Sequence, residues 1–342
     1  MAMSSQARRS SEVSPGLVLL DKPTGCTSHD CVARIRRLAG TKRVGHAGTL
    51  DPSATGLLLV GVGSATRFLT YLVGLGKTYQ ATIRLGQATT TDDSDGQVVS
   101  QAVAADLSPA KVEQAMADLR GVIMQVPSSV SAIKVNGQRA YARVRSGQAV
   151  TLAARRVEIS QFEVLARRIV GDWLDLDVVV ECGTGTYVRA LARDLGQTLA
   201  VGGHLTALRR TRVGPFEVTA ARTLDQLEKR FESASLAETA TQLMPSRSLT
   251  ADEVEHLRCG RTIAGAAAGV VSVEPVSPGQ SVAGAAAGVV SVEPVSPGRP
   301  SDSGPSGALS GLVAGIAPDG SLVALIRDEP GLDKARPVAV FI

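Results

Sequence analysis

The chain has 342 residues, enough for one large domain and a small one. It is 44% hydrophobic and 20% charged, and no apolar run is long and uncharged enough to span a membrane. Its four cysteines, Cys26, Cys31, Cys182 and Cys259, form no C-x-x-C pair and no zinc-type quartet with histidine. A reduced cytoplasmic protein with free thiols is expected. The net charge of +4 says little by itself about nucleic acid.

Met1 to Ser14 is polar and lacks the apolar stretch of a signal peptide, so residues 1–15 read as a disordered tail. From residue 16 to 245 strands and helices alternate densely. Leu17 to Leu20 predicts a buried strand. Ser28 is the expected N-cap of a helix facing inward through Val32, Ile35 and Leu38 or Ala39. Leu57 to Val62 predicts a central strand, and Ser64 the cap of a helix using Phe68, Leu69 and Leu72. In Lys77 to Leu85 the alternation puts Tyr79, Ala81, Ile83 and Leu85 on one face. Ser108-Pro109 starts a helix. Ser131 to Val135 predicts a strand ending in the turn Asn136-Gly137. Trp173 to Glu181 alternates again, with Asp175 and Asp177 outward. A glycine turn at Gly183-Thr184-Gly185 then leads to a helix carrying Val188, Leu191 and Leu195.

Residues 246–342 differ. Leu249 to Ile263 predicts a short helix capped by Thr250, followed by strands at Leu312 to Ile316, Leu322 to Ile326 and Val338 to Ile342. Residues 264–279 recur without change at 283–298. One duplication is no solenoid, and the Gly, Ala, Ser and Pro content of 264–307 reads as a flexible inserted loop. The expected class is α+β: a mixed, largely antiparallel sheet with flanking helices, plus a small β-rich domain.

Basic residues cluster at Arg34, Arg36, Arg37, Lys42 and Arg43, at Lys134, Arg139, Arg143 and Arg145, and at Arg209, Arg210 and Arg212. Each can be a solvated face; three together favour phosphate contact. Beside the first cluster, Gly45, Gly48 and Pro52 mark an irregular loop that carries Asp51. A loop aspartate suits a nucleophile or base, and equally suits a turn residue bonded to its own backbone. Asp92, Asp93 and Asp95 precede Gly96, but Thr91 and Ala102 stand where a calcium loop needs acids. A hydrogen-bonded turn is expected there, without a metal.

The run from Lys42 through Gly45-His46-Ala47-Gly48-Thr49-Leu50-Asp51-Pro52 to Leu58 resembles the signature of the TruB family of tRNA pseudouridine synthases. The resemblance continues, in order, through Lys77-Thr78-Tyr79, Leu85-Gly86-Gln87, Thr91 to Gly96, Gln125-Val126-Pro127, Ser131 to Gly137, Arg139-Ala140-Tyr141, Cys182 to Arg189 and Leu208 to Thr211. At Ser128 to Val130 the chain departs from the usual second proline and aromatic.

The resemblance implies a pseudouridine-synthase-like fold, a C-terminal PUA-like RNA-binding domain and isomerisation of uridine 55 in the T arm of tRNA after base flipping. It implies Asp51 as the catalytic carboxylate, Arg189 as its ion partner and Tyr79 against the uracil as stacking partner or proton-transferring base. His46, Tyr187, Leu208 and Lys22 are implied to bind the substrate. No cofactor and no metal are expected; the partner is the T-arm stem-loop, and the protein is expected to be a monomer away from membranes. An RNA-binding or tRNA-folding factor, or a synthase acting on a different RNA, stays open.

Overall fold

The computed structural model describes residues 14–128, 134–135, 138–139, 152–265, 309–329 and 331–341. Most of the expected tail, nearly all of the duplicated insertion, residues 131–133 and the Asn136-Gly137 turn lie outside the described residues.

β1 (Gly16–Lys22) buries Leu17, Val18 and Leu20 and leads into α1 (Ser28–Leu38). The helix cap is Thr27, not Ser28. The Thr27 hydroxyl accepts from the Asp30 amide at 3.1 Å, and the Asp30 carboxylate accepts from the Thr27 amide at 2.9 Å. This reciprocal pair satisfies two orphan donors and fixes the helix start one residue earlier, which frees the Ser28 hydroxyl for another partner.

After β2 (Val44–Ala47) and β3 (Thr55–Val62), Ser64 does not cap a helix. Gly63, at φ +64°, turns the chain straight off β3 into a 3-10 turn (Gly63–Arg67) that encloses Ser64, and α2 (Leu69–Val73) follows. β4 (Lys77–Leu85) has the expected alternation, with Tyr79, Ala81, Ile83 and Leu85 buried. β5 (Gln87–Thr89) and β6 (Val98–Gln101) form a small hairpin. The Ser108 hydroxyl accepts from the Lys111 amide at the start of α3 (Pro109–Ala117).

β7 (Gly121–Gln125) follows, then β8 (Lys134–Val135) and β9 (Gln138–Arg139), which pair antiparallel on either side of positions 136–137. β10 (Arg155–Val170) and β11 (Trp173–Cys182) form a long hairpin, and α4 (Val188–Thr198) returns the chain to β12 (Gly203–Val213). β13 (Phe216–Glu217), α5 (Leu224–Lys229) and β14 (Ala234–Ser235) complete this unit.

The strand order is β14-β1-β3-β12-β4-β11-β10-β7, with β2 added on β3 and β13 on β12. All pairs in this sheet are antiparallel except β3 with β12. That seam is two residue pairs long, Thr55 with Arg209 and Gly56 with Arg210. Gly56 sits at φ +97°, and a Cβ there would fall 2.2 Å from the Arg210 carbonyl oxygen, so only glycine lets the strands meet. One hydrophobic core packs Val112 and Met116 of α3 and Leu191 and Leu195 of α4 with β4, β10 and β11. A second packs Val32 and Ile35 of α1 and Leu224 and Leu227 of α5 on β1 and β3.

The chain divides between Ser235 and Leu236, ten residues before the boundary read from the sequence. The cause is α6 (Leu236–Thr241), which packs within the second unit. That unit is a five-stranded sheet of β15 (Ser246–Ser248), β16 (Ile263–Ala264), β17 (Val313–Ile316), β18 (Leu322–Asp328) and β19 (Lys334–Val340), in the order β15-β17-β18-β19-β16. Thr250 caps α7 (Ala251–Arg258) as expected, through a capping box with Glu253. The helix is shorter than its apolar pattern suggested because Gly260, at φ +72°, ends it. The last strand starts four residues early, since its pairing with β18 runs from Ala335 to Val340.

Candidate active site

The loop between β2 and β3 carries Asp51, and three buried groups hold its backbone. The Ser28 hydroxyl donates to the Leu50 carbonyl at 3.0 Å and accepts from the Leu50 amide at 2.9 Å. The Lys22 ammonium, fully buried, donates to the carbonyls of Pro23, Pro52 and Ala54 at 2.9, 3.2 and 2.7 Å. Arg210, also buried, donates to the carbonyls of Gly48 at 2.8 Å and Leu57 at 2.7 Å. Gly48, at φ +76°, lets the chain pass over that guanidinium. Both ends of the irregular segment 48–54 are thus tied to buried cations, which satisfies carbonyls that secondary structure leaves unpaired.

Arg189 enters from the first turn of α4. Its Nε lies 3.0 Å from Asp51 Oδ2, its Nη1 lies 3.4 Å from Asp93 Oδ2, and Nη1 also donates to the Thr91 carbonyl at 2.9 Å. The Arg189 side chain is 5% exposed and that of Asp51 41%. Asp51 is therefore reachable, yet recessed enough that the surrounding protein governs its protonation. Burial pushes its carboxyl above the ordinary range, Arg189 pulls it back, and Asp93 and Asp95 add to the rise.

Asp93 is itself held. Its carboxylate accepts from the Thr91 hydroxyl and from the Asp95 amide. The expected hydrogen-bonded turn is present, and its carboxylates also reach α4, where Arg193 lies 3.2 Å from Asp92. Among the described residues no cluster of acids, histidines and cysteines could hold a metal.

A cavity of about 270 Å³ opens over Asp51. Its walls include Tyr79, Lys77, Tyr187, Arg189, Leu208 and Arg210. Tyr79 and Arg210 are register partners across β4 and β12, as are Ala81 and Leu208, so the sheet itself sets the wall. The Tyr187 backbone is fixed by the Gln125 side chain, which accepts from its amide at 2.9 Å and donates to its carbonyl at 3.2 Å. Burial pushes the Tyr79 phenol up, and hydrogen-bonded Arg210 opposes this. Burial also lowers the Lys77 ammonium to about 8.

Asp51, Tyr79, Arg189, Tyr187 and Leu208 thus meet at one cavity. Lys22 and His46 do not line it. Lys22 has its ammonium among three carbonyls of the loop and its approach, so the structure places it as a support of the Asp51 loop and not at the cavity wall. His46 lies on β2 opposite Val60, with a buried Nδ1 lacking a partner among the described residues, and burial lowers its pKa. Ser28, Lys77, Asp93 and Arg210 also stand around Asp51 or its cavity; sequence reasoning gave Ser28, Asp93 and Arg210 other duties and Lys77 none. In the cluster of Arg209, Arg210 and Arg212 the side chains have partners within the protein. Arg209 pairs with Asp21, Arg212 with Glu181, and Arg210 is buried.

Solved structures share the architecture. A chain from the structure of an H/ACA RNP bound to a substrate RNA containing 2'-deoxyuridine aligns with TM-score 0.62 at 24% identity, over 96% of this chain and 85% of that one. A chain of the archaeal box H/ACA sRNP Nop10-Cbf5 complex aligns with TM-score 0.62 at 22% identity, over 97% and 87%. The fold is that of the pseudouridine synthases.

The sequence narrows the class. The description "TruB family pseudouridylate synthase (N terminal domain)" matches residues 36–188, and "tRNA pseudouridylate synthase B C-terminal domain" matches 189–250. A tRNA pseudouridine synthase B of Arthrobacter sp. (strain FB24) is 53% identical over 95% of this chain and 96% of that protein. Its counterpart from Nocardia farcinica (strain IFM 10152) is 58% identical over 72% and 81%. The chain belongs to the TruB family of pseudouridylate synthases.

Proposed function

We propose that this chain isomerises uridine 55 in the T arm of tRNA to pseudouridine, with Asp51 as the catalytic carboxylate. The observation that carries the reading is the 3.0 Å pair of Asp51 with Arg189 at a cavity walled by Tyr79, Tyr187 and Leu208. The relatives named above, described as acting on tRNA, support the substrate.

The reaction breaks the bond from uracil N1 to the ribose, turns the base and joins its C5 to the same sugar carbon. A proton leaves C5 and one is taken up at N1, so the atoms balance without a cofactor. A recessed carboxylate that Arg189 favours in its anionic form can add to the sugar or base, or assist elimination at the sugar, and later leave. The target base must be flipped out of its stack to reach a recessed carboxylate. Tyr79, a neutral phenol whose pKa burial raises further, offers the flipped uracil a flat apolar wall. Leu208 and Tyr187 bound the cavity, and Lys22 and Ser28 hold the loop that presents Asp51. His46, beside this loop on β2, contacts the RNA strand next to the flipped base. The second unit adds an RNA-binding surface of the PUA-like kind, and the enzyme works as a cytoplasmic monomer.

The test is to incubate the full chain with an unmodified tRNA transcript and map pseudouridine. One site in the T arm is expected, with Asp51→Asn slower by about 10⁶-fold, the scale on which loss of a nucleophile acts. Equal product from Asp51→Asn overturns the mechanism, whereas product at another position overturns only the assignment of uridine 55.

A further inference from the structure

The thiols of Cys26 and Cys31 face each other at 3.4 Å, at the start of α1. Cys26 immediately precedes the cap Thr27 and Cys31 is the fourth helical residue, the two positions that ordinarily hold an apolar contact fixing how a chain enters a helix. Here that contact is made by two oxidisable groups. Cys26 is half-buried and so reachable by a small molecule, while Cys31 is buried behind it. A disulfide has its sulfurs about 2.0 Å apart, so closure requires an approach of little more than an ångström.

The position matters because the segment holding these thiols also holds the Asp51 loop. Lys22 donates to the Pro52 and Ala54 carbonyls, the Thr24 hydroxyl to the Ser53 carbonyl at 3.3 Å and the Gly25 amide to the Pro52 carbonyl at 2.9 Å. Ser28, between the two cysteines, clamps Leu50 from both sides. Any shift of the turn from 22 to 28 is passed to residues 50–54.

We propose that Cys26 and Cys31 form a reversible dithiol modification site that takes a low-molecular-weight disulfide as oxidant and, on closing, loosens the hold of the 22–28 turn on residues 50–54. The Cys26 thiolate attacks one sulfur of the small disulfide, forming a mixed disulfide and releasing one small thiolate, which takes up a proton. The Cys31 sulfur then attacks the Cys26 sulfur and expels the second small thiolate, which leaves with the Cys31 proton. The protein loses two hydrogens, and the oxidant is reduced to two small thiols. Burial pushes the Cys31 thiol up to about 12, which slows the second step, and contact with its target sulfur offsets this.

The test uses the full chain with the exposed Cys259 changed to serine, treated with oxidised glutathione. A peptide spanning both cysteines is expected to lose two hydrogens and retain no glutathione. Hydrogen exchange at residues 49–55 is expected to quicken about tenfold and pseudouridine formation to fall about tenfold, a change of about 1.4 kcal/mol. Dithiothreitol should restore both. A further Cys26→Ser change should leave reduced activity intact and abolish the response. Glutathione retained on Cys26 without the internal bond overturns the proposal. So does an internal bond that leaves exchange at 49–55 unchanged. The turnover readout rests on the function proposed above, but bond formation and exchange do not. An inactive chain that closes and loosens would sink that function alone.

Discussion

Arg210 stands opposite Tyr79 in the β12–β4 register and reaches across the sheet to the carbonyls of Gly48 and Leu57, so one buried cation joins the tyrosine strand to the Asp51 loop. Replacing it with methionine keeps much of its bulk and strands two buried carbonyls. Each unsatisfied group costs about 1–3 kcal/mol. Arg210→Met is expected to lower the denaturant midpoint and to reduce kcat more than RNA affinity; unchanged stability would mean that these bonds are replaced by water.

Arg189 is the counter-charge for Asp51, and its removal has a signed consequence. Burial holds the Asp51 pKa above 3.8 and Arg189 pulls it down, so Arg189→Gln moves it further up. The proposed reaction uses the ionised carboxylate, which is lost as pH falls through that pKa. The acid limb of kcat/KM should therefore lie above the ordinary carboxylate range in the parent and shift to higher pH in Arg189→Gln. A rate loss of about 10²–10³ is expected at neutral pH, on the scale of removing one electrostatic partner. A limb that moves downward contradicts this.

Lys22 tests the support beneath the loop. Lys22→Met removes the donors to Pro23, Pro52 and Ala54 without opening a large cavity. A thermal shift corresponding to about 1–3 kcal/mol and a slower kcat are expected, with KM nearly unchanged, because Lys22 does not line the cavity. A rise in KM with normal kcat would return Lys22 to the substrate.

Lys77 predicts the alkaline side. Its pKa, lowered by burial to about 8, makes it a cation below that pH and neutral above. It lines the cavity proposed to receive the RNA, a polyanion, so KM for RNA should rise as pH passes through about 8. Lys77→Arg, which stays charged, should flatten that rise.

Much of this site could be read along the chain. Asp51 sits inside a long contiguous motif, Tyr79 shares an inward strand face, and Arg189 follows a glycine turn into a helix. What escaped was set by pairing over distance. Asp93 satisfied a local turn reading completely, and nothing near it in sequence points to Arg189. Ser28 is an ordinary capping residue until Thr27 takes the cap. Arg210 looked like one of three surface arginines because its burial depends on a seam formed with residues 55–57. In β10 the alternation of Val157 and Ile159 is broken by a register shift before Phe162 and Val164, and the strand's second half is largely exposed, so its sixteen residues gave little strand signal.

The parallel seam at Gly56 and Arg210 has one more effect. Asp51 and its supports Lys22 and Ser28 come from the strands and helix on one side of it; Tyr79, Leu208 and Arg189 come from the other. Arg210 and Leu57, bonded across the seam, are 153 positions apart in sequence. Neither portion of the sheet holds a competent centre, however well it folds alone. Activity during refolding will therefore lag behind the recovery of secondary structure and mark the moment when the two portions zip together.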